Sequence, residues 1–409
     1  MRELVALAIP GGSQFVTELR RALYEGDAVL PVDLRLSEPA RARLLEAMRP
    51  AVLVDESGER RRLDGALPVE EGDGLVMATS GTTGEPKGVV LTRDAIAASA
   101  RATSRRLGVD PSADRWWACL PLAHIGGLSV LLRALTTDVP VDVEAGFSPE
   151  GARRAIARGA TLTSLVPTAL RRLDPEMVAG FRRIVLGGQA PPSALSSNVV
   201  TTYGLTETGS GVVYDGEPLE GVEVRVDPAD SQIHLRGPML FRCYRDDSDP
   251  KTKDGWFPTG DGGSIGPEGR LVVRGRIGEM IITGGENVWP AMVEPLLERH
   301  PSVKAAAVGG RPDPDWGERV TAYVVAEGEV EAATLLPELR ELVRDELSAF
   351  AAPREVVVVD KLPRTAIGKV RREALLALSG PSASIGRAAG GAPGATRPAS
   401  SRPGLRSCS

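Results

Sequence analysis

The sequence predicts an α/β protein that has a large N-terminal domain of α/β sheets with a small β-rich subdomain, followed by a smaller α+β C-terminal domain. Short apolar runs that end in turn residues alternate with helical patterns through the first half of the chain, as in α/β sheets. Beyond residue 221, short strands and many glycine turns replace that alternation, and a third pattern begins near residue 280. The 409 residues are sufficient for two or three domains.

The N-terminal domain is predicted over residues 1–275. It begins with a helix, a turn and a second helix within residues 14–49, because leucines recur there at helical spacing. Residues 221–274 form the β-rich subdomain, with strand-like runs such as VEVRV and LVVRG. Between these parts, helical patterns that include 94–107 separate buried strands, which are predicted at 51–55, 75–78, 116–120, 161–166 and 184–186.

The C-terminal domain is predicted over residues 276–378. Its elements are expected as a helix at 290–300, strands at 303–308 and 320–326, a helix at 335–348 and a strand at 356–359. Residues 379–409 consist mainly of Gly, Ala, Ser, Pro and Arg. Because such a segment cannot bury enough surface to offset its ordering entropy, we expect a disordered tail there.

The overall composition excludes several classes of protein. Lysine and arginine number 49 against 54 acidic residues, a net charge of -5, which provides no basic field for nucleic acid or an anionic membrane. No apolar run reaches the length of a membrane helix, and the start lacks a signal-peptide pattern. The widely spaced Cys119, Cys243 and Cys408 argue against a disulfide framework. We expect a cytoplasmic protein without membrane insertion or a nucleic-acid partner, and a homo-oligomer stays open.

The strongest local signal is the segment TSGTTGEPKG at 79–88, which lies between two apolar runs. Its glycines allow backbone N–H groups to point toward an anion, while four hydroxyls and a lysine add donors and positive charge. It is not a Walker loop, since the GxxxxGK[ST] spacing is absent. The structural alternative is a polar hairpin turn. The segment predicts a triphosphate site formed by Thr79, Ser80, Gly81, Thr82, Thr83, Gly84 and Lys87.

This segment resembles the phosphate-loop signature of the adenylate-forming superfamily, which includes acyl- and aryl-CoA synthetases, luciferases and the adenylation domains of peptide synthetases. Further motifs of that family follow in the family's order and together cover roughly residues 75–372. The resemblance implies an AMP-forming acid–CoA ligase, which makes an acyl-adenylate and then a thioester. ATP, Mg²⁺ and coenzyme A are the cofactor and co-substrates that this reaction requires.

Two of these motifs would bind adenine. Gly187, Gly188 and Gln189 follow a predicted strand, and paired glycines allow a flat ligand to approach the backbone. In the family this turn lies against adenine, although taken alone it is an ordinary strand-ending turn. Tyr203 and Gly204 begin the motif YGLTET, in which the tyrosine ring stacks on adenine. An exposed loop after a strand is the structural alternative for this second motif.

Other residues that match the family's motifs would bind the phosphate and ribose groups. Thr206 would contact phosphate, and Glu207 would be the metal ligand, since Mg²⁺ prefers hard carboxylate oxygens. Asp261 would accept hydrogen bonds from the ribose hydroxyls, although an Asp-Gly turn is its alternative. Gly262 stands where the family usually has Leu or Ile, a change that would loosen this turn. Arg276 would reach ribose or phosphate.

The C-terminal domain would be mobile and carry a catalytic lysine. The backbone would rotate at Gly278, where the family usually has Asp or Lys, and glycine keeps that rotation possible. Gly284, Gly285 and Glu286 would face the pantetheine of coenzyme A. Lys369, in the motif PxxxxGK, would bridge carboxylate and α-phosphate oxygens, and a solvated loop lysine is its alternative. With Lys87 and Glu207, Lys369 completes the predicted catalytic set.

The segment LPLAHIGGLSVLLR at 120–133 indicates the acid. This HxxG motif with its apolar helix, and SLVPT at 164–168, resemble the o-succinylbenzoate–CoA ligases of menaquinone biosynthesis, whose substrate carries two carboxylates. Arg133 is the candidate cation for the carboxylate that is not activated; the alternative is an arginine with its head in solvent. His124 would line the acyl pocket or the coenzyme A channel, or it is a packed loop histidine.

Three alternative functions stay open at this point. Another aryl- or short acyl-CoA synthetase would share the motifs and differ in the acid. An adenylation enzyme that loads a carrier protein is less favoured, because no fused carrier domain is visible. Retention of Glu207 and Lys369 speaks against a non-enzymatic nucleotide-binding relative.

Overall fold

The computed structural model describes residues 2–80, 86–192, 194–364, 370–380 and 382–384. The first part of the chain forms these elements: β1 (Leu4–Leu7), α1 (Ser13–Glu25), β2 (Ala28–Pro31), α2 (Glu38–Met48), β3 (Val52–Val54), β4 (Arg60–Arg62), β5 (Asp73–Ser80), β6 (Pro86–Thr92), α3 (Arg93–Leu107), β7 (Trp116–Ala118), α4 (Ile125–Thr137), β8 (Val141–Val143), α5 (Pro149–Ala157), β9 (Leu162–Leu165), α6 (Pro167–Leu170), α7 (Pro175–Ala179) and β10 (Arg183–Leu186).

The middle and last parts continue the numbering. Short 3₁₀ helices lie at Thr206–Thr208, Ile277–Glu279 and Arg372–Ala374. The remaining elements are β11 (Val199–Leu205), β12 (Ser210–Tyr214), β13 (Glu217–Pro218), β14 (Glu223–Val226), β15 (Gln232–Arg236), β16 (Cys243–Tyr244), β17 (Phe257–Ile265), β18 (Leu271–Arg276), β19 (Ile281–Thr283), β20 (Glu286–Val288), α8 (Pro290–Leu297), β21 (Val303–Asp313), β22 (Gly317–Ala326), α9 (Ala332–Glu346), β23 (Glu355–Val358) and β24 (Ser382–Ser384).

Two seven-stranded sheets form the main body of the N-terminal domain. Their strand orders are β16-β6-β5-β2-β1-β3-β4 and β13-β12-β11-β10-β9-β7-β8. Helix α3 contacts strands of both sheets, and α4 contacts strands of the second sheet while its leucines share an apolar core with β1 and β5 of the first. Both helices therefore pack between the two sheets. Helices α5, α6 and α7 contribute to a separate apolar core together with β9 and β10 of the second sheet. This layering confirms the predicted α/β class.

The prediction for residues 14–49 is wrong in one respect, since strand β2 lies between the two helices. Strand β1 was not predicted either. Both are four-residue runs that are buried along their whole length and pair in parallel. Strands buried on both faces lack an alternating pattern, so periodicity does not distinguish such a short run from a turn or a helix end.

Two smaller sheets follow in the chain. The predicted β-rich subdomain contains a four-stranded antiparallel sheet in the order β14-β15-β17-β18. The C-terminal sheet has the order β20-β19-β22-β23-β24, with β21 paired to β22, and helices α8 and α9 pack on it. The 3₁₀ turn Ile277–Glu279 lies between these sheets. The domain boundary at 275 and 276 stays a prediction, and the position of this turn supports it.

The predicted disordered tail is corrected at its start. Residues Ser382–Ser384 form β24, which pairs antiparallel with β23. Strand pairing uses backbone groups and needs no large apolar side chain, so composition missed it. Residues 385–409, with Cys408, lie outside the described part. Among the described residues, Cys119 and Cys243 are unbridged, and none of the helices there has the length and apolar content to span a membrane.

A tryptophan joins the C-terminal domain to the small β-rich sheet. Gly262 and Gly275 are cross-strand partners in β17 and β18, and together they leave a flat patch without side chains. The buried Trp289 ring lies against this patch; a Cβ at residue 262 would clash with it, and one at residue 275 would be 3.6 Å away. Glycine at 262 therefore makes room for an aromatic ring from the next domain, rather than loosening a turn.

The packing of Trp289 predicts the effect of adding one methyl group. We expect Gly262→Ala to displace the ring and to lower the free energy of unfolding by about 1–3 kcal/mol, the usual range for overpacking. Urea denaturation would measure the free energy of unfolding, and a red shift of tryptophan fluorescence would report the displaced ring. Gly266→Ala is the matched control, because its Cβ would have no neighbour closer than 3.5 Å. Equal behaviour of the two variants would contradict this prediction.

Candidate active site

The β5–β6 hairpin positions the start and end of the predicted phosphate loop. Thr79 and Lys87 are opposite each other in the antiparallel pair, and the Thr79 hydroxyl lies 3.4 Å from the Lys87 carbonyl oxygen. Ser80 ends β5 opposite Pro86. The predicted phosphate-binding residues Gly81, Thr82, Thr83 and Gly84 lie outside the described residues, so their role stays a prediction. The hairpin therefore holds Thr79 and Lys87 together at the end of the first sheet.

Glu207 and Lys87 come together around Tyr244. Glu207 lies in the 3₁₀ turn after β11, and Tyr244 pairs with Val89 of β6. The Tyr244 hydroxyl donates a hydrogen bond of 3.0 Å to Glu207 Oε1, and Lys87 Nζ lies 5.3 Å from the centroid of the Tyr244 ring. Burial and the adjacent Glu207 carboxylate raise the pKa of Tyr244, so the phenol stays protonated and donates.

Sequence reasoning did not find Tyr244. It lies in a strand of only two residues, and its immediate neighbours form no recognisable chemical pattern. Its position depends on antiparallel pairing with a strand more than 150 residues earlier in the chain, Pro86–Thr92. Only the register of that pairing brings it to Lys87 and Glu207.

Tyr203, Asp261 and Arg276 form a second cluster. The Tyr203 hydroxyl donates to Asp261 Oδ2 at 2.8 Å, and Arg276 Nε lies 3.0 Å from Asp261 Oδ1. Asp261 and Arg276 are cross-strand partners in β17 and β18. Burial and the Asp261 charge raise the pKa of Tyr203, which keeps its hydroxyl protonated. A carboxylate accepts several hydrogen bonds, so these contacts are compatible with the predicted role of Asp261 toward ribose hydroxyls.

The predicted adenine turn lies beside the strand that carries Tyr203. Gly187 follows β10, which pairs in parallel with β11, and a Cβ on it would be 2.9 Å from Thr202. Gly188 has a φ of +84°, and the half-buried Gln189 comes next. Gly204 directly follows Tyr203. The structure therefore places both predicted adenine motifs on neighbouring strands.

The connection between β11 and β12 requires glycine at one position. A Cβ at Gly204 would clash with the carbonyl oxygen of Ser210, because the two strands approach closely there. Thr206 begins the intervening 3₁₀ turn, and the buried Thr208 hydroxyl accepts from Leu205 N–H at 2.9 Å. We call residues 203–210 the central segment, since it carries Tyr203 at one end, Glu207 in its turn and Ser210 at the other end.

Arg133 is buried on α4, with only 2% of its surface exposed, which excludes the alternative of a head group in solvent. Its guanidinium donates to the hydroxyls of Ser164, at 3.3 Å, and Ser210, and it lies 5.7 Å from the Trp116 ring centroid. Its Nε has no hydrogen-bond partner, and no carboxylate of the described residues forms an ion pair with it. A buried cation of this kind favours an anionic ligand.

His124 lies at the N-terminal end of α4 in a polar cluster. Its Nε2 is 3.3 Å from Asp33 Oδ2 and 2.9 Å from an Arg35 guanidinium nitrogen. Burial alone would raise the pKa of the Asp33 carboxyl, but hydrogen bonds from Arg35 lower it overall. The loop after β2 therefore orients this histidine, and its role toward an acid stays a prediction.

The C-terminal domain presents the predicted coenzyme A loop as a tight hairpin turn. Gly284 and Gly285 both have positive φ, +61° and +85°, which a type I′ turn requires, and they connect β19 to β20, where Glu286 begins. A Cβ on Gly284 would be 2.7 Å from the Trp316 ring. A Cβ added at Gly278 would meet nothing within 4 Å, so this arrangement does not require glycine there. Lys369 lies outside the described residues.

The residues present fit a magnesium ion that is shared with phosphates. Among the described residues, no group of three or more His, Cys, Asp or Glu side chains is arranged to hold a metal alone. Mg²⁺ usually keeps several waters and binds one or two carboxylates together with substrate phosphates. Glu207 Oε1 is bonded to Tyr244, and within the described chain no hydrogen bond engages Oε2. Glu207 is thus oriented to provide one hard oxygen ligand.

Comparisons with known proteins agree with this geometry. Residues 67–245 match the family model described as AMP-binding enzyme, and residues 292–369 match the AMP-binding enzyme C-terminal domain. A protein of Mycobacterium tuberculosis (strain H37Rv) named probable 2-succinylbenzoate–CoA ligase is 42% identical over 364 residues, which cover 83% of this chain and 94% of that protein. A 2-succinylbenzoate–CoA ligase of Bacillus anthracis (strain A0248) is 30% identical and covers 91% and 87%.

Solved structures of similar proteins differ in how well they match. The o-succinylbenzoate CoA synthetase of Bacillus subtilis in complex with its acyl-adenylate intermediate has a TM-score of 0.80 at 28% identity, covering 91% of this chain and 88% of that one. A double mutant of that enzyme bound to a product analogue, OSB-NCoA, has a TM-score of only 0.62 at the same identity, with 94% and 90% covered. As a whole, the present structure is therefore more similar to the adenylate complex than to the product-analogue complex.

The close approach at Gly204 predicts a strong effect of its smallest substitution. We expect Gly204→Ala to force β11 and β12 apart, which would displace Tyr203 and Glu207 and weaken ATP binding by at least about tenfold, or ~1.4 kcal/mol. Isothermal titration calorimetry with ATP would measure the affinity. Gly146→Ala is the control, because nothing lies within 4 Å of its Cβ. Unchanged ATP affinity in a folded Gly204→Ala variant would contradict the prediction.

Proposed function

The chain belongs to the AMP-binding enzyme family, and on this premise we propose that it is a 2-succinylbenzoate–CoA ligase of menaquinone biosynthesis. It converts ATP, the acid and coenzyme A to the acyl-CoA, AMP and pyrophosphate through an acyl-adenylate. ATP, Mg²⁺ and coenzyme A are its cofactor and co-substrates. Its nearest alternatives, ligases for other aryl or short acyl chains, have no observation in their favour here.

One observation carries the proposal: segments far apart in sequence converge on the central segment. Tyr203 at its start contacts Asp261, and Glu207 in its turn contacts Tyr244 beside Lys87. These groups match, in order, what adenine, ribose, magnesium and phosphate require. The fold alone does not require all of these side chains to be in contact.

In the first half-reaction, a carboxylate of the acid attacks the α-phosphorus of ATP and pyrophosphate leaves. The nucleophile is already an anion, so little proton transfer is needed. We assign Lys87, Lys369 and the loop amides to the oxygens on which charge increases in the transition state. When bound, Mg²⁺ supplies Lewis-acid stabilisation of phosphate charge at Glu207. Tyr203 and Asp261 hold adenine and ribose, which fixes the α-phosphorus relative to the acid.

In the second half-reaction, the coenzyme A thiol attacks the acyl carbonyl and AMP leaves. We assign this step to a different domain arrangement, in which rotation about Gly278 withdraws Lys369 and brings the loop of Gly284, Gly285 and Glu286 to the site. The open space around Gly278 and the lower TM-score of the OSB-NCoA complex both support this assignment.

Arg133 supports the choice of a dicarboxylic acid. Its guanidinium is buried, and its nearest polar partners are the neutral hydroxyls of Ser164 and Ser210. Ser210 ends the central segment, so this cation lies next to the place where the adenylate forms. A buried charge without a counter-ion is unfavourable, and the second carboxylate of 2-succinylbenzoate would supply one.

We propose the cellular location of the enzyme from the metabolites that its reaction uses. ATP and coenzyme A are cytoplasmic metabolites, so we place the reaction in the cytoplasm. The homo-oligomer that the sequence left open stays a prediction, which analytical ultracentrifugation would test.

Removal of Lys369 should separate the two half-reactions. We expect Lys369→Ala to lower adenylation by at least about 10²-fold, the scale for losing one strong transition-state donor. Thioester formation from preformed adenylate should change much less. Pyrophosphate release and single-turnover transfer to coenzyme A would measure the two steps. Lys361→Ala is the control, since this lysine is exposed on the same stretch of chain. Equal loss in both half-reactions would disprove the assignment.

A panel of acids tests the proposed substrate and the role of Arg133 together. With the unaltered protein, we expect pyrophosphate release to favour 2-succinylbenzoate over benzoate and fatty acids. Arg133→Met should lower kcat/KM for 2-succinylbenzoate about 10²-fold, because a charge-assisted contact is lost, and should leave benzoate nearly unchanged.

Arg133→Lys is the matched variant, and it should recover part of that loss, since it restores the charge without the planar guanidinium. No preference for the dicarboxylate in the unaltered protein would refute the substrate. A similar loss for every acid would assign Arg133 a structural role instead.

A further inference from the structure

We propose that Tyr244 is a positioning residue for the magnesium and phosphate end of the active site. Its hydroxyl orients the Glu207 carboxylate. Its ring contacts the Lys87 ammonium and keeps it apart from that carboxylate. The proposal rests on the function proposed above, because it concerns the same site. It adds a residue that acts through its neighbours and that sequence reasoning did not find.

The hydrogen bond between Tyr244 and Glu207 fixes one carboxylate oxygen. The phenol donates to Oε1 at 3.0 Å, and an ionised carboxylate is an acceptor only, so the direction of this bond is set. A carboxylate held at one oxygen loses its freedom to rotate, which leaves Oε2 for a metal ion. Loss of a residue that hydrogen-bonds to a metal ligand typically lowers metal affinity or activity by about 10- to 100-fold.

The backbone next to Tyr244 holds Glu207 as well. The Phe241 N–H donates to the Glu207 carbonyl oxygen at 2.7 Å. The Phe241 ring lies 5.0 Å from the Tyr244 ring and 5.2 Å from the Phe257 ring, all distances between centroids. Residues 241–244 therefore hold both the main chain and the side chain of Glu207. This double contact fixes the carboxylate through groups of the protein itself.

The Tyr244 ring also determines where Lys87 lies. The ammonium is 5.3 Å from the ring centroid, within the range of a cation–π contact, and Tyr244 pairs with Val89 two residues beyond the lysine. Among the described residues, neither Lys87 nor Glu207 has an ion-pair partner, although their charges are opposite. The ring lies under the ammonium while its hydroxyl contacts the carboxylate, so both charges stay available to the ligands.

The test is Tyr244→Phe, which removes the hydroxyl and keeps the ring. We expect the Mg²⁺ concentration for half-maximal ATP–pyrophosphate exchange to rise about tenfold. Binding of Mn²⁺ in the presence of a non-hydrolysable ATP analogue, followed by electron paramagnetic resonance, should weaken by a similar factor. Exchange at saturating Mg²⁺ should largely recover, because Lys87 keeps its support.

Two further variants separate the contributions. Tyr244→Leu removes the ring as well, so the KM for ATP should rise in addition. Tyr214→Phe is the matched control, since it removes a buried phenol hydroxyl whose partner, at 3.3 Å, is the Thr103 hydroxyl of α3 rather than a carboxylate. It should leave the Mg²⁺ dependence and the Mn²⁺ affinity unchanged.

Unchanged Mg²⁺ dependence and Mn²⁺ affinity in folded Tyr244→Phe would overturn the proposal. So would an activity loss that is the same at every Mg²⁺ concentration, because this indicates a structural role alone. Failure of the proposed function is distinguishable from these results. In that case the unaltered protein would release no pyrophosphate with 2-succinylbenzoate, while Mn²⁺ binding would still report on Tyr244.

Discussion

The active site depends on the close approach of β11 and β12 at the two ends of the central segment. Gly204 faces the Ser210 carbonyl so closely that no side chain fits, and this holds a tight 3₁₀ turn between the strands. Tyr203 then contacts Asp261, Glu207 contacts Tyr244, and Ser210 contacts Arg133. One short segment therefore sets the relative positions of the predicted nucleotide, metal and acid sites. A shift of this segment would displace the residues of all three at once.

The charged groups of the site are held mainly by neutral partners. Arg133 is bonded to serine hydroxyls, Lys87 lies over a tyrosine ring and Glu207 accepts from a phenol. Within the described residues, these three charges have no ion-pair partner. A neutral partner fixes the orientation of a charge without neutralising it, so its field remains available for a carboxylate, a phosphate or a metal ion. Asp261 differs because Arg276 pairs with it, and its predicted role is to accept hydrogen bonds from ribose hydroxyls.

One specific contact between the domains involves Trp289. Trp289 packs on the cross-strand glycines Gly262 and Gly275, and burial of one large side chain stabilises an arrangement by about 1.5–3 kcal/mol. That energy is comparable to the few kcal/mol that separate interconverting states of a protein. The same contact can therefore hold the present arrangement and still release it. Gly278, the predicted hinge, agrees with this, since a Cβ added there would meet nothing within 4 Å.

The sequence by itself determined the α/β class, the order of the motifs and most residues of the predicted nucleotide site. Lys87, Tyr203, Glu207, Asp261 and Arg276 were predicted because residue type and local spacing carry their chemistry, and the structure brings them into two adjoining clusters. Gly81–Gly84 and Lys369 rest on sequence alone. The tertiary structure decided what depends on contacts between distant segments. These are the buried strands β1 and β2, the burial of Arg133, the packing of Trp289 on two glycines and the position of Tyr244. Such contacts arise from strand register and packing, and a local pattern of residues contains no information about which distant segment will lie beside it.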